Sequence, residues 1–354
     1  MTGPVFPADA NPHAVPNGPS VFDRIARRRG RGSTRGSSGS NSSAVDLSTR
    51  VGALLLKAPV LTAAGTSGHG AELRNHVDLA ALGAVVVKSL SAEAWAGNPA
   101  PRVWGTDGGM INSVGLQNEG VDHWVAHDLP ALRATGATVV ASIWGFTIES
   151  YSAAARKLLA ADGSLLEGIS AVEVNVSCPN IEDRRHMFAH STEATSAVIG
   201  AVREALQAGT PLWAKLSPNV TALTDIAGAA VDAGADALSL INTVMGMVID
   251  IESRRPKLGA GGGGLSGPAI RPVAVRAVYE TRKMFPTVPI VGIGGVATGA
   301  HALELLMAGA NAVGVGTATF YEPAAPQRVL RELVSWCEQH DVATITELIG
   351  AAHG

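Results

Sequence analysis

Glu173-Val174-Asn175-Val176-Ser177-Cys178-Pro179-Asn180 is the point at which an apolar strand runs out into a loop carrying a thiol and two amides. A strand end on a rigid scaffold holds reactive groups still while the loop beyond it admits a substrate, so the stretch reads as one edge of an α/β active site. By default a lone cysteine is a small buried hydrophobe. Here the context reverses that default. Pro179 cannot extend a central ladder, and Asn175 and Asn180 carry donors and acceptors that are costly to bury without partners, which points to a polar ligand.

Working outward from this strand, short β-branched or apolar runs alternate with Ala- and Leu-rich helical stretches from Val51 onward. Strands are expected at residues 60–63, 84–90, 138–144, 171–177, 212–216, 237–241, 290–293 and 312–315. Amphipathic segments at 150–159, 192–208, 221–233, 272–284 and 300–308 are long enough for the helical crossovers that parallel strands need. Strands this continuously apolar belong to a sheet covered on both faces. Eight alternating units over about 300 residues point to a (β/α)8 TIM barrel rather than an open doubly wound sheet.

Composition agrees. The chain has 354 residues, 46% hydrophobic and 16% charged, enough to bury a large core. A formal net charge of -3 offers no basic surface for nucleic acid, which leaves a small-molecule partner. Cys178 and Cys337, the two cysteines, are too far apart for a disulfide framework or zinc-ligand spacing, so a reduced, cytoplasmic protein with no metal is expected. No apolar run approaches the roughly 18 residues of a spanning helix, so no membrane is expected either. The first 45 residues differ: Arg27-Arg28-Arg29-Gly30-Arg31-Gly32 precedes a Ser- and Gly-rich tract with no apolar periodicity, and reads as a disordered extension ahead of a catalytic domain at 46–354. A transit peptide or nucleic-acid tail is the alternative.

On the barrel reading, Lys88, Asn175, Lys215, Asn242, Gly294 and Gly316 fall at the carboxyl ends of successive strands, the face on which barrels carry their sites. Two lysines closing apolar strands suit an anionic or electron-rich ligand better than solvent. Gly292-Ile293-Gly294-Gly295 and Gly314-Val315-Gly316-Thr317 end strands seven and eight, where loops of this fold clamp phosphate. Residues 261–267, Gly-rich and ending in Leu265-Ser266-Gly267, read as a mobile loop. The long connection after strand two is placed as a roof over the site.

These motifs resemble dihydroorotate dehydrogenase, specifically the soluble class 1 enzymes and above all the class 1B catalytic subunit. The resemblance runs from about Pro59 to Phe320 and rests on Gly97-Asn98-Pro99-Ala100-Pro101-Arg102, Asn112 to Asn118, Asn175 to Asn180, Ile241-Asn242-Thr243, Gly264-Leu265-Ser266-Gly267-Pro268 and Gly292 to Gly295. It implies FMN, with its phosphate at Gly294, Gly295, Gly316 and Thr317 and its ring approached by Ala64, Gly65, Lys88, Ser89, Asn175, Lys215, Ile241 and Gly267. Dihydroorotate would be bound by Asn112, Asn175, Asn180 and Asn242, assisted by Lys88, Thr243 and the backbone of Ser113, Val114, Gly115 and Leu116. Amides donate and accept, matching the alternating C=O and N–H edge of a dihydropyrimidine.

The resemblance also implies a mechanism in which Cys178 takes the C5 proton while the flavin takes the C6 hydride, yielding orotate for pyrimidine biosynthesis. Lys88 would promote thiolate character and Lys215 would stabilise charge on the reduced flavin. The implied assembly is a homodimer, or a heterotetramer with an FAD and iron–sulfur electron-transfer subunit. Two positions depart from the family: Ala64 stands where Ser is common, and Phe146 where an Asn touches the flavin, each forgoing a hydrogen bond of about 0.5 to 1.5 kcal/mol. Competing readings are a flavin-dependent reductase of another dihydropyrimidine or cyclic amide, a flavin-free phosphate-binding isomerase or lyase, and a binding or regulatory barrel.

Overall fold

The computed structural model describes residues 44–177 and 188–354. Its centre is a sheet of eight parallel strands: β1 Val60–Thr62, β2 Val85–Val86, β3 Val139–Ile143, β4 Ile169–Asn175, β5 Leu212–Leu216, β6 Ala237–Leu240, β7 Ile290–Ile293 and β8 Ala312–Val315. The order is β1-β8-β7-β6-β5-β4-β3-β2, and a parallel bridge between Leu61 and Ala84 brings the two ends together. Gly83 N–H donates to Val60 O at 2.8 Å and Thr62 N–H to Ala84 O at 3.2 Å across that seam. The eight strands stand where the sequence placed them, each within a few residues of its expected span.

Side-chain alternation explains the layering. Along β5, Leu212, Ala214 and Leu216 join the core between sheet and helices, whereas Trp213 joins the barrel interior with Val140, Ala171, Val291 and Ala312. Successive residues of a strand point to opposite faces, so a strand covered on both sides reads as a continuous apolar run. The antiparallel hairpin Thr49–Val51 and Leu54–Leu56 adds Val51 and Leu56 to the interior cluster and so packs against its amino-terminal end. That hairpin was not foreseen in the sequence.

Helices Ile148–Arg156, Thr192–Ala205, Leu223–Asp232, Arg271–Met284 and Gly299–Met307 are the expected crossovers. The first opens on a capping box in which Thr147 Oγ1 accepts from Ser150 N–H and Ser150 Oγ from Thr147 N–H, satisfying donors that a helix start leaves open. A further helix, Ala325–Gln339, buries Val329, Leu330, Leu333 and Cys337 on one face, the spacing of a helical stripe.

Over the carboxyl ends of the barrel lies a four-stranded antiparallel sheet in the order Val244–Gly246, Gly263–Ser266, Gly109–Asn112, Val103–Thr106. The connection after β2 supplies two of these strands, consistent with a roof. The segment expected as a mobile loop is a strand instead: Gly264 pairs with Asn112 on one side and Met245 on the other. Backbone pairing on both edges gives this glycine-rich stretch an order that its composition does not announce. A Cβ at Gly264 would collide with Thr243 Oγ1, so glycine there allows the strand to seat closely.

Candidate active site

A cavity of about 990 Å³ opens between the carboxyl ends of the strands and the antiparallel sheet. Each described residue assigned from the sequence lines it. From the first two strand ends come Ala64, Gly65, Lys88 and Ser89; from the middle strands Asn175, Lys215, Ile241, Asn242 and Thr243. The last two strands and their loops add Gly294, Gly295, Gly316 and Thr317, and the roof adds Asn112, Ser113, Val114, Gly115, Leu116 and Gly267. Cys178 and Asn180 lie outside the described residues.

The barrel places the amides. Asn175 closes β4 with its side chain inward, 4% exposed. Its Oδ1 accepts from Asn242 Nδ2 at 3.1 Å and from Ser177 N–H at 3.2 Å, while its Nδ2 donates to Ser89 Oγ at 3.4 Å. Tyr151 Oη donates to Asn175 O at 2.8 Å, holding the strand end from behind. Asn242 in turn accepts the Thr243 N–H at 2.8 Å. Asn112 enters from the roof, where its Nδ2 donates to Gly264 O at 3.3 Å.

Lys215 and Lys88 face the same space. Lys215 sits one residue from the end of β5 and is 5% exposed, yet no hydrogen bond or ion pair engages its ammonium among the described residues. The ammonium therefore opens on the cavity without a protein partner among them, and a cation presented in this way is suited to meet negative or electron-rich atoms. The Lys88 ammonium is held below the ordinary lysine range, first by burial and then by the positive charge of Arg102. Ser113 Oγ and Ser177 Oγ are also buried at the cavity without a hydrogen-bond partner in the described structure.

The loop 112–118 is held in a strained shape. Leu116 adopts a φ of 61°, a region that costs a non-glycine residue of order 1 to 3 kcal/mol unless its surroundings impose it. Asn118 and Trp95 impose it. Asn118 Nδ2 donates to Leu116 O at 2.9 Å and its Oδ1 accepts from Gly120 N–H at 2.9 Å, and Trp95 Nε1 donates to Gly115 O at 2.8 Å. Asn118, part of the motif that marks the loop in the sequence, thus acts as its fastener.

Phe146 stands outside the cavity lining. Its ring packs edge-on to Trp95 at 4.9 Å and to Trp144 at 4.7 Å, in an aromatic group behind the loop. Ser266 stands out in the sequence only as part of a motif; in the fold its Oγ accepts from Thr317 Oγ1 at 2.8 Å and joins the roof to the end of β8. Nothing local in the sequence signals that contact, because the two residues are separated by 51 positions.

The backbone at the last strands fits an anion. Gly294 has φ 137° and Gly295 φ 71°, and a Cβ on Gly295 would lie 2.6 Å from Arg271 Cβ and 3.0 Å from its backbone N. Bare backbone turned this way can present N–H groups to phosphate. Across the cavity, a Cβ on Gly65 would meet nothing within 4 Å, so that wall is open enough for a flat ring to approach the chain.

A family model described as dihydroorotate dehydrogenase matches residues 46–336. Relatives named dihydroorotate dehydrogenase B (NAD(+)), catalytic subunit, include a Geotalea uraniireducens protein 45% identical over 306 residues, covering 86% of this chain and 98% of that protein. One from Geobacter sulfurreducens is 44% identical over 306 residues with the same coverage. One from Desulforudis audaxviator is 48% identical over 309 residues, 87% of this chain and 98% of its own length.

Proposed function

Given that this chain belongs to the dihydroorotate dehydrogenase family, we propose that it oxidises dihydroorotate to orotate at the cavity above the barrel, with FMN as its bound cofactor. The observation that carries this reading is Lys215, a buried side chain whose ammonium opens on the cavity with no partner among the described residues, beside the amide pair Asn175 and Asn242. A cation and a set of donor–acceptor amides in one cavity suit an electron-rich ring system and a cyclic imide together. A volume near 990 Å³ lies at the upper end of small-molecule sites, which run to about 1,000 Å³, and accommodates both.

Gly294, Gly295, Gly316 and Thr317 would hold the FMN phosphate, with Gly65, Ser89, Ile241, Gly267, Lys88 and Lys215 along its ring. When bound, FMN supplies a two-electron acceptor for the hydride leaving C6. Asn112, Asn175, Asn242 and Thr243 would orient the substrate ring, with Asn180 completing the set, and Lys88 would meet its negative charge. Cys178, three residues beyond the end of β4, would take the C5 proton onto its sulfur as the C5–C6 double bond forms. Lys215 would offset charge arising on the electron acceptor's side of the cavity.

The relatives' name, catalytic subunit, supports a second element: electrons would leave through a separate FAD and iron–sulfur subunit to NAD. Among the described residues no helix is long and apolar enough to cross a membrane. Anaerobic mixing of the purified, flavin-loaded protein with dihydroorotate tests the core of this reading. Bleaching of the flavin band near 450 nm with stoichiometric orotate is the expected result; a protein that takes up FMN yet is not reduced by dihydroorotate would overturn it.

A further inference from the structure

Among the described residues only Glu173 and Lys215 are charged and buried, Glu173 with no exposed surface at all. Glu173 does not line the cavity; it lies one inward position below Asn175 on β4. Ser142 Oγ donates to Glu173 Oε1 at 3.0 Å, Ser142 Oγ and Ser89 Oγ are 2.9 Å apart, and Asn175 Nδ2 lies 3.4 Å from Ser89 Oγ. Asn242 Nδ2 continues the series onto Asn175 Oδ1 at 3.1 Å. Glu173 Oε2 has no hydrogen-bond partner in the described structure.

The chemistry of the groups gives this series a direction. Ser142 Oγ donates its single O–H to Glu173 Oε1, which commits that hydrogen. Ser142 Oγ can then only accept from Ser89, which commits the O–H of Ser89 in turn. What remains on Ser89 is an acceptor, and the part of Asn175 that faces it must be the NH2. Ser177 N–H and Asn242 Nδ2 claim the other end, Oδ1. With a neutral donor-capable group at the bottom, the two hydroxyls could run either way, and the buried NH2 of Asn175 could be left facing another donor.

We propose that Glu173 is a positioning residue: its carboxylate sets the donor sense of the Ser142–Ser89 pair and so holds the amides of Asn175 and Asn242 in the orientation in which they meet the pyrimidine. The proposal rests on the functional reading above, since it takes those amides to face the substrate. Lys215 is the opposite charge of the barrel interior, on the strand that pairs Asn175 with Lys215 and Glu173 with Trp213.

The test is an orotate titration, by calorimetry and by the flavin spectrum, of the flavin-loaded parent, Ser142→Ala, Glu173→Gln and the double variant. Each single variant is expected to bind orotate about tenfold more weakly. The double variant should also lose about tenfold rather than the hundredfold of independent sites, because both changes break one series. Ser142→Ala removes one hydroxyl from the interior and keeps the experiment informative where Glu173→Gln fails to fold. A merely structural role would lower flavin content and melting temperature without that coupling. Folded, flavin-loaded single variants that bind orotate within twofold of the parent, or losses that multiply, would overturn the positioning role alone. A parent that binds no orotate would overturn the functional reading beneath it.

Discussion

Asn242 Nδ2 donates to Asn175 Oδ1 at 3.1 Å, linking the end of β6 to the end of β4 over the intervening β5, where Lys215 turns into the cavity. The two amides are 67 residues apart in sequence and become one hydrogen-bonded pair because their strands are near neighbours in the same barrel. On the proposed function, replacing Asn242 by Ala removes one contact to the substrate and, with it, one support of Asn175. Orotate affinity should fall by about 1 to 3 kcal/mol, the cost of leaving buried polar partners unmatched. Flavin-band titration with orotate reports this, and an unchanged affinity would place the ligand elsewhere.

Gly295 tests the phosphate clamp. Its φ of 71° and the closeness of Arg271 to any added Cβ mean that Gly295→Ala must shift the loop after β7. The strain is about 1 to 3 kcal/mol, and the backbone N–H groups move with it. Substoichiometric FMN after purification, with the far-ultraviolet circular dichroism of the parent, is the expected result; full FMN occupancy would contradict the assignment.

Cys178 is assigned from the sequence alone. Cys178→Ala should retain its flavin and lose flavin reduction by dihydroorotate on the order of 10² to 10⁴-fold, the usual contribution of a general base. Single-turnover stopped-flow measures this step free of the reoxidation half-reaction. Reduction at the parent rate in the Ala variant would assign the base to another group.

Lys88 carries a pH signature. Burial, followed by the charge of Arg102, lowers its pKa from the ordinary value of 10.5. The ammonium can attract an anion only below its own pKa, so orotate affinity should begin to fall at a pH below the usual lysine range. Arg102→Gln removes the second cause, raises the Lys88 pKa and moves that fall to higher pH. Lys88→Ala should abolish it. Orotate dissociation constants measured across alkaline pH in the three proteins decide the matter, and identical profiles would refute the role of Lys88.

The electron path is read from what the chain encodes. Cys178 and Cys337 fall short of the four ligands an iron–sulfur cluster takes. The protein alone should reduce artificial dyes with dihydroorotate and turn over NAD only when an electron-transfer subunit is added. Efficient NAD reduction without a partner would show this route to be wrong.

Much of the fold is legible in the sequence. Eight apolar runs, punctuated by glycine and alternating with helical stripes, locate the barrel because burial on both faces leaves its mark on every residue of a strand. The lysine, asparagine and glycine positions at those strand ends locate the site on related grounds: a polar side chain that closes an apolar strand is costly to bury unless a ligand or another polar group meets it. Tertiary structure alone decided the rest. Gly263–Ser266 became a strand because Asn112 and Met245 offered their backbones on either side, a pairing no local propensity encodes in four residues containing two glycines. Phe146, at the position where the family pattern sets an Asn against the flavin, instead packs on Trp95 and Trp144. Glu173 was visible in the sequence only as an acid in an apolar run. Its contact with Ser142 depends on the register of β3 against β4, which is settled by closure of the whole barrel and written in no single segment of the chain.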